Sequence, residues 1–424
     1  MADDDLRRRE ALLGGREDVS VAVVGDVDGR IVESAPVKEP QTPGEWIKVN
    51  LFSGPVNSIL SIASAAFLLF LLLQIIDFVF VGGQWQVVRV NMKAYMVGGF
   101  PQEELWRVWT CLYLLVVMVG LSLGAAGKTF TLRARLIPRL VIALAAAVLV
   151  LGFTVQSSLA RIGVVGVPVM VAVSYLVGRS FPRPINKVRL PAWILLFPVM
   201  IVIVRGFDGV PPKDWEGLFF NLTAATVGIF ASFPIGIGLA LGRRSSLPAV
   251  RLFCVVVIEV FRGVPLVAWL VFSKYIVHLL LPPQLDLPDI IKALVVMTMF
   301  SAAYIAEIVR GGLQGVNQGQ YEAGRALGLS TTRLNFLIVL PQALRATIPA
   351  MIGHFISLFK DTSLFSAIQV TDLLDAGQRS AIALEFLGRD AEALLFVALF
   401  FWVVAFSMSR WSQRLEMRLG VGDR

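Results

Sequence analysis

Apolar runs long enough to enter a bilayer recur along this chain, near 57–80, 107–126, 138–156, 162–178, 190–205, 217–242, 252–281, 289–309, 347–370 and 391–410. A helical span needs about 20 predominantly apolar residues, so the last five runs are firm. The runs at 138–156, 162–178 and 190–205 are short and close together, which leaves three to five spans in the first half. Composition agrees: 56% of the 424 residues are hydrophobic, 16% are charged, and the mean hydropathy is +0.75. A soluble fold of this size needs far less apolar sequence. The expected fold class is all-α, a polytopic membrane protein of about 8–10 transmembrane helices.

Several function classes fall away at once. The two histidines offer no metal or catalytic cluster, and the two cysteines, Cys111 and Cys254, sit in apolar runs and imply no disulfide framework. The net charge of +8 is explained by loops rather than by nucleic acid. With the N-terminus inside, one set of loops carries Lys128, Arg133 and Arg135; Arg179, Arg183, Lys187 and Arg189; Arg243 and Arg244; Arg310, Arg325, Arg333 and Arg345; and Arg410, Arg414 and Arg418. The opposite loops carry only Arg89, Lys93, Arg161, Lys213, Arg379 and Arg389. That asymmetry places the first set, and both termini, in the cytoplasm. Residues 1–54 begin with clustered charges and no apolar run follows them, so they read as a cytoplasmic tail rather than a signal peptide. A short strand over Val19–Val27 is the other reading of that segment.

The 310–346 loop has the richest content. Tyr321, Glu322, Ala323, Gly324, Arg325, Ala326 and Leu327 read as a short helix closed by Gly328, whose tolerance of positive φ ends helices. Ser330 is an N-cap for a second helix, Thr331–Leu340, which Pro341 disturbs or ends. A helix–turn–helix projecting from a membrane needs a surface to press against.

Glu322-Ala323-Gly324, then Gly328, Ile338, Leu340 and Pro341, resembles the EAA loop of ABC importer permeases, with the family's spacing throughout and Gly324 where the family usually has Ala. Ala303-Tyr304, Ala306-Glu307-Ile308, Arg310-Gly311-Gly312, Leu340-Pro341-Gln342-Ala343 and Lys360-Asp361-Thr362-Ser363-Leu364 resemble the polar amino-acid uptake branch. The likeness covers roughly residues 215–415. It implies a five-helix permease core over 211–424, with a cytoplasmic coupling loop at 310–346. It also implies that Tyr321, Glu322, Ala323, Gly324, Arg325, Gly328, Leu340 and Pro341 dock a separate ATPase. Glu322 would anchor the loop there by charge-assisted bonds, while Ala323, Gly324 and Gly328 allow close backbone approach. The other reading of the loop is a merely solvated amphipathic segment. Residues 55–210 are then an extension of about 3–5 helices, which resembles the larger permease subunits of general or acidic-and-amide L-amino-acid systems. Its role reads as a peripheral scaffold, with Trp85, Trp106 and Trp109 as interfacial anchors.

The chain has no convincing phosphate-binding loop. Gly127-Lys128-Thr129 resembles the end of one, but Ser122 stands where that loop needs Gly. The expectation is therefore a transport subunit without its own ATPase site, ATP and Mg being held by the partner. Within the spans, Glu259 and Arg262, like Glu307 and Arg310, are spaced i, i+3 and can share a helix face. They are either a gate or side chains tying helix ends to the interface. Lys360, Asp361, Thr362 and Ser363 lie about 13 residues into the 347–370 run, about 20 Å along its axis. A cation for a carboxylate and an acceptor for an ammonium suit an amino-acid pathway; a structural ion pair is the other reading. His354, near Met351 and Leu358, reads as a buried structural histidine. Pro234 with Gly236 and Gly238, and Gly263 with Pro265, mark points of kinking and close packing.

The reading implied is a permease subunit of an ATP-driven bacterial inner-membrane importer for polar L-amino acids, with the acidic ones and their amides or a broad range as candidates. Its partners would be two ATPase subunits, a second and homologous permease, a periplasmic solute-binding protein, membrane lipid and the amino-acid substrate, with no nucleic acid. An ion-coupled secondary amino-acid transporter, with Lys360 and Asp361 as the coupling site, is the alternative.

Overall fold

A computed structural model describes residues 42–125 and 158–419, apart from 283 and 286. The 138–156 run, most of the N-terminal tail with Val19–Val27, and Gly127-Lys128-Thr129 lie outside the described residues. The chain divides after Gly83 into two compact units.

In the first unit, α1 (Pro43–Leu51) starts at a capping box. Thr42 accepts from the Glu45 amide and the Glu45 carboxylate accepts from the Thr42 amide. That bonding holds the Glu45 carboxyl below its usual pKa. The following α2 (Pro55–Asp77) is apolar all round and buries no residue, a surface suited to lipid.

The second unit is helical throughout its described residues, with an isolated bridge between Gly217 and Asp372. Two short helices, α3 (Gln86–Val90) and α4 (Met92–Val97), precede α5 (Leu105–Ala125), α6 (Ser158–Ser180) and α7 (Pro182–Arg205). The remainder comprises α8 (Gly217–Arg243), α9 (Pro248–Gly263), α10 (Leu266–Tyr275), α11 (Val277–Leu280), α12 (Asp289–Gln314), α13 (Gln318–Ala326), α14 (Thr331–Leu334), α15 (Leu340–Asp361), α16 (Leu373–Ile382) and α17 (Asp390–Leu419). Across both units, seven helical stretches among the described residues are long and apolar enough to cross a membrane, or eight with α9 and α10 counted as one span. That pair is bent by 101°. The run expected as one span at 252–281 is thus broken at Gly263–Pro265, where proline and glycine interrupt the helical ladder.

Small residues set the close crossings. A Cβ on Gly236 would lie 2.7 Å from the Ile305 Cβ and 2.8 Å from the Ala302 carbonyl, so α8 and α12 meet backbone to backbone. A second such crossing joins α5 to α6. A Cβ on Gly124 would come within 2.2 Å of the Tyr175 carbonyl, and one on Gly178 within 2.5 Å of the Leu121 carbonyl. The signal was present as Gly120-x-x-x-Gly124 and Ser174-x-x-x-Gly178, a spacing that lines one helix face with small side chains. Trp109 packs on Gly163 of α6 and beside Tyr113. Trp106 is exposed under the Arg107 guanidinium, and Trp85 packs against the α3–α4 core cluster.

Arg107 is buried in this bundle. It pairs with Glu104 and donates to the Ile203 and Gly206 carbonyls at 2.6 and 2.9 Å. Those carbonyls belong to the C-terminal end of α7, whose last acceptors have no partner within the helix, and a cation there is favoured by the helix dipole.

Candidate functional site

The 310–346 loop is built from two capped pieces crossing at a glycine. Asn317 caps α13 by accepting from the Gly319 amide at 2.8 Å. Gly328 closes it at φ +73°, with the Leu329 amide donating back to the Gly324 carbonyl at 3.1 Å. Ser330 caps α14, as its spacing predicts, by accepting from the Arg333 amide. The regular helix then stops at Leu334, and Asn335–Val339 form a π-helical turn. Pro341 does not end a helix. It sits in the first turn of α15, directly after the π-helical turn that interrupts the regular ladder, so it disturbs the helix there.

The loop is fastened to the helices beneath it. Tyr321 accepts from Arg244 at 3.1 Å, donates to the Leu313 carbonyl at 3.3 Å, and lies under the Arg244 guanidinium. The Gln342 amide reaches Gln320 at 3.2 Å. Gly324 is buried where a Cβ would fall 2.3 Å from the Leu334 Cδ1. Facing outward are Glu322, Ala323 and Arg325; Glu322 makes no ion pair among the described residues. Leu327, Phe336 and Leu337 also point out, at 79%, 54% and 68% exposure. Sequence reading took Leu327 only as part of the helix and passed over Phe336 and Leu337, which are ordinary residues between motif positions.

Beneath the loop, the two charge pairs merge into one network. Glu307 pairs with Arg310 at 2.9 Å as expected, but also with Arg243 at 2.5 Å and Arg262 at 3.7 Å. Glu259 does not bind its i+3 neighbour; it meets Arg243 at 3.3 Å. Arg243, read in the sequence as a plain loop charge, joins the three helices. Arg262 also stacks over Tyr304 at 5.5 Å.

Lys360, Asp361, Thr362 and Ser363 are not grouped at mid-helix. The helix starts at Leu340 rather than 347, so Lys360 and Asp361 are its last residues, about 30 Å from its start. Lys360 is exposed, while Thr362 is fully buried and accepts from Asn221 at 2.9 Å. Ser363 turns back to the Lys360 carbonyl. Asn221 also donates to Asp372 at 3.3 Å and accepts from the Leu373 amide at 2.8 Å, and Asp372 caps α16 through the Asp375 amide. Burial pushes the Asp372 carboxyl up to about 7, against the opposing effect of those hydrogen bonds. Lys274, from the end of α10, donates to the Ile368 carbonyl at 2.6 Å and clasps the same turn. His354 is half-buried; its Nε2 lies 2.9 Å from the Ser301 hydroxyl and its ring stacks on Tyr304. Among the described residues no group of His, Cys, Asp and Glu could hold a metal ion.

Residues 232–421 match the family described as binding-protein-dependent transport system inner membrane component. The inner membrane amino-acid ABC transporter permease protein YhdY of Escherichia coli is 30% identical, over 89% of this chain and 93% of its own length. The chain belongs to the amino-acid ABC importer permeases. The glutamate/glutamine/aspartate/asparagine transport system permease protein BztC of Rhodobacter capsulatus is 32% identical to the permease, over 88% of this chain and 93% of its own. A shorter relative, the probable glutamine ABC transporter permease protein GlnP of Bacillus subtilis, is 33% identical over 48% of the permease and 92% of its own length. Membership makes the permease a multi-pass inner-membrane transport subunit and gives no support to an ion-coupled carrier.

Proposed function

We propose that this permease passes polar L-amino acids across the inner membrane and takes its driving force from separate ATPase subunits docked on α13. The observation that carries this reading is the make-up of the 310–346 loop. Its inner face is tied down through Tyr321, Gly324 and Gln342, and its outer face presents an ion-free Glu322 beside Leu327, Phe336 and Leu337. A tethered loop with exposed apolar side chains and an unpaired carboxylate is suited to a protein partner. Ala323, Arg325 and Gly328 complete that surface, while Leu340 and Pro341 lead from it into α15. Movement of the ATPases would reach the spans through Arg243, Glu307 and Arg310, directly beneath the loop.

In this reading the termini and the loop are cytoplasmic, ATP and Mg belong to the partner, and this chain hydrolyses nothing. Two ATPase copies, a homologous second permease and a periplasmic solute-binding protein complete the importer. Residues 211–424 form the translocating core and 55–210 a scaffold beside it. Lys360 and Asp361 line the outer mouth of the substrate pathway, with Thr362 and Ser363 holding the turn that shapes it. The two full-length relatives support amino acids as cargo, and the printed specificity of the second supports the acidic ones and their amides.

Glu322→Lys tests the docking role. The variant is expected in the membrane at normal level, with the ATPase absent from the purified complex and uptake lost. Co-purification and uptake at wild-type level would overturn it.

A further inference from the structure

At the end of the permease opposite the 310–346 loop lies an open surface cleft of ≈ 390 Å³, lined in part by Gly98, Gly99, Glu216, Thr371 and Arg379. This volume falls within the range of small-molecule sites, about 300–1,000 Å³. Its two charged groups are opposite in sign and come from different elements: Glu216 from the residue before α8, Arg379 from α16.

Each is held by a single partner. One Glu216 oxygen accepts from the Gly99 amide at 2.5 Å, and the other has no hydrogen-bond partner among the described residues. Gly98 makes room for the carboxylate: it adopts φ +58°, and a Cβ there would lie 2.2 Å from the Glu216 Cβ. The Arg379 Nε forms an ion pair with Asp375 at 2.5 Å without hydrogen-bond geometry, and the side chain, 56% exposed, keeps its two terminal nitrogens free of other partners among the described residues. Of the remaining polar side chains, the Ser380 hydroxyl is engaged by Tyr95 at 2.6 Å and the Asn91 amide by the Val87 carbonyl at 2.9 Å.

We propose that this cleft receives the charged end of a free α-amino acid, its ammonium on Glu216 and its carboxylate on the Arg379 guanidinium. A guanidinium with free terminal nitrogens and a free carboxylate oxygen match the two charges that every such substrate shares. Ser380 and Asn91 are engaged by Tyr95 and the Val87 carbonyl, so Glu216 and Arg379, with Thr371 as polar neighbour, read the α-amino-acid moiety. Gly98 and Gly99 come from the extension before residue 211, while Glu216, Thr371 and Arg379 lie in the core, so the site joins the two parts of the chain. The proposal rests on the amino-acid importer reading above.

The test uses the whole complex in lipid nanodiscs without solute-binding protein, with radiolabelled L-glutamine as the probe. Wild type is expected to bind it, with L-glutamate and L-asparagine competing. N-acetyl-L-glutamine, which lacks the ammonium, and L-glutaminamide, which lacks the carboxylate, should not compete. Glu216→Gln, which keeps an acceptor for the Gly99 amide, and Arg379→Gln should each weaken binding about tenfold or more; Arg379→Lys should fall between. Melting temperatures show whether each variant is folded. Absence of wild-type binding, wild-type affinity in folded variants, or competition by the blocked analogues would each overturn the proposal. So would variants that bind glutamine normally but lose stimulation by the solute-binding protein, because the two charges would then belong to a protein interface. Uptake by the complete wild-type system separates the two readings. No uptake of any amino acid sinks the importer itself, whereas normal uptake without binding in the cleft sinks this site alone.

Discussion

The two ends of the permease solve the same problem, polar groups beside a membrane, in opposite ways. Beneath the 310–346 loop, a single carboxylate, Glu307, is shared among Arg243, Arg262 and Arg310, and the arginine side chains are a quarter to a third exposed. At the far end, Asn221, Thr362 and Asp372 are fully buried, and Asn221 alone links the other two. Shared, partly hydrated charges can exchange partners with little loss. Buried hydrogen bonds cannot, because each unmade bond leaves a desolvated group behind. The loop end is built to shift and the far end to hold.

Removing the shared carboxylate should have the largest effect. Glu307→Ala leaves three partly exposed arginines close together with no common partner. Because Glu307 itself is only 16% exposed, the loss should reach the low end of that for a buried pair, on the order of 3 kcal/mol. Glu259→Ala, whose carboxylate is 56% exposed, should change stability by less than about 0.5 kcal/mol. Thermal unfolding of the purified permease in detergent gives both values. Equal losses would mean that Glu307 is not the hub.

Next comes Asn221→Leu, similar in volume but without hydrogen bonds. It strands the Leu373 amide and the Asp372 carboxylate, and a loss of about 2 kcal/mol is expected. A neutral result would show that water or rearrangement replaces Asn221, and the far end would lose its claim to rigidity.

Asp372 gives a smaller effect with a defined sign. Its carboxyl is raised to about 7 in the folded protein, against about 4 for an unperturbed aspartate. The folded state therefore holds the proton more tightly. The stability this contributes is full below about pH 4, declines as pH rises, and is gone above about pH 7. The melting temperature should fall by a few degrees between pH 5 and 7.5, on the scale of about 2–4 °C per kcal/mol. Asp372→Asn, still a good N-cap, should flatten that fall. Parallel curves for variant and wild type would place the proton elsewhere.

How much of this was legible follows from the range of the interactions. The loop could be read because its determinants are local: Ser330, Gly328 and the Glu322–Pro341 spacing all act within a few turns. The helix start at Leu340 could not be read from hydropathy, since Gln342 and Arg345 make that first turn look like loop. That error moved Lys360 and Asp361 from the end of α15 to its middle. Asn221 and Asp372 carry no pattern, and Thr362 was read only within its local motif, because 141 and 151 residues separate the bonded partners. Arg243 was counted as loop charge because nothing in its neighbourhood announces Glu307. The crossing of α5 with α6 was legible in Gly120 and Gly124, a periodicity that is easily lost within a long apolar run.

Gly324→Ala has the smallest expected effect and probes the loop end most finely. The family pattern has alanine here, yet the added Cβ would lie 2.3 Å from the Leu334 Cδ1. That atom is the tip of a flexible side chain at the crossing of α13 and α14, so a change of rotamer relieves the contact. Alanine also favours the helix by about 0.5–1 kcal/mol over glycine. The two effects oppose each other, and the net change in stability should stay within about 1 kcal/mol, with ATPase docking retained. A large loss of stability would mean that Leu334 is locked against Ile338 and that the crossing is as rigid as the far end. Loss of docking at normal stability would mean instead that glycine sets the angle at which Glu322 is presented.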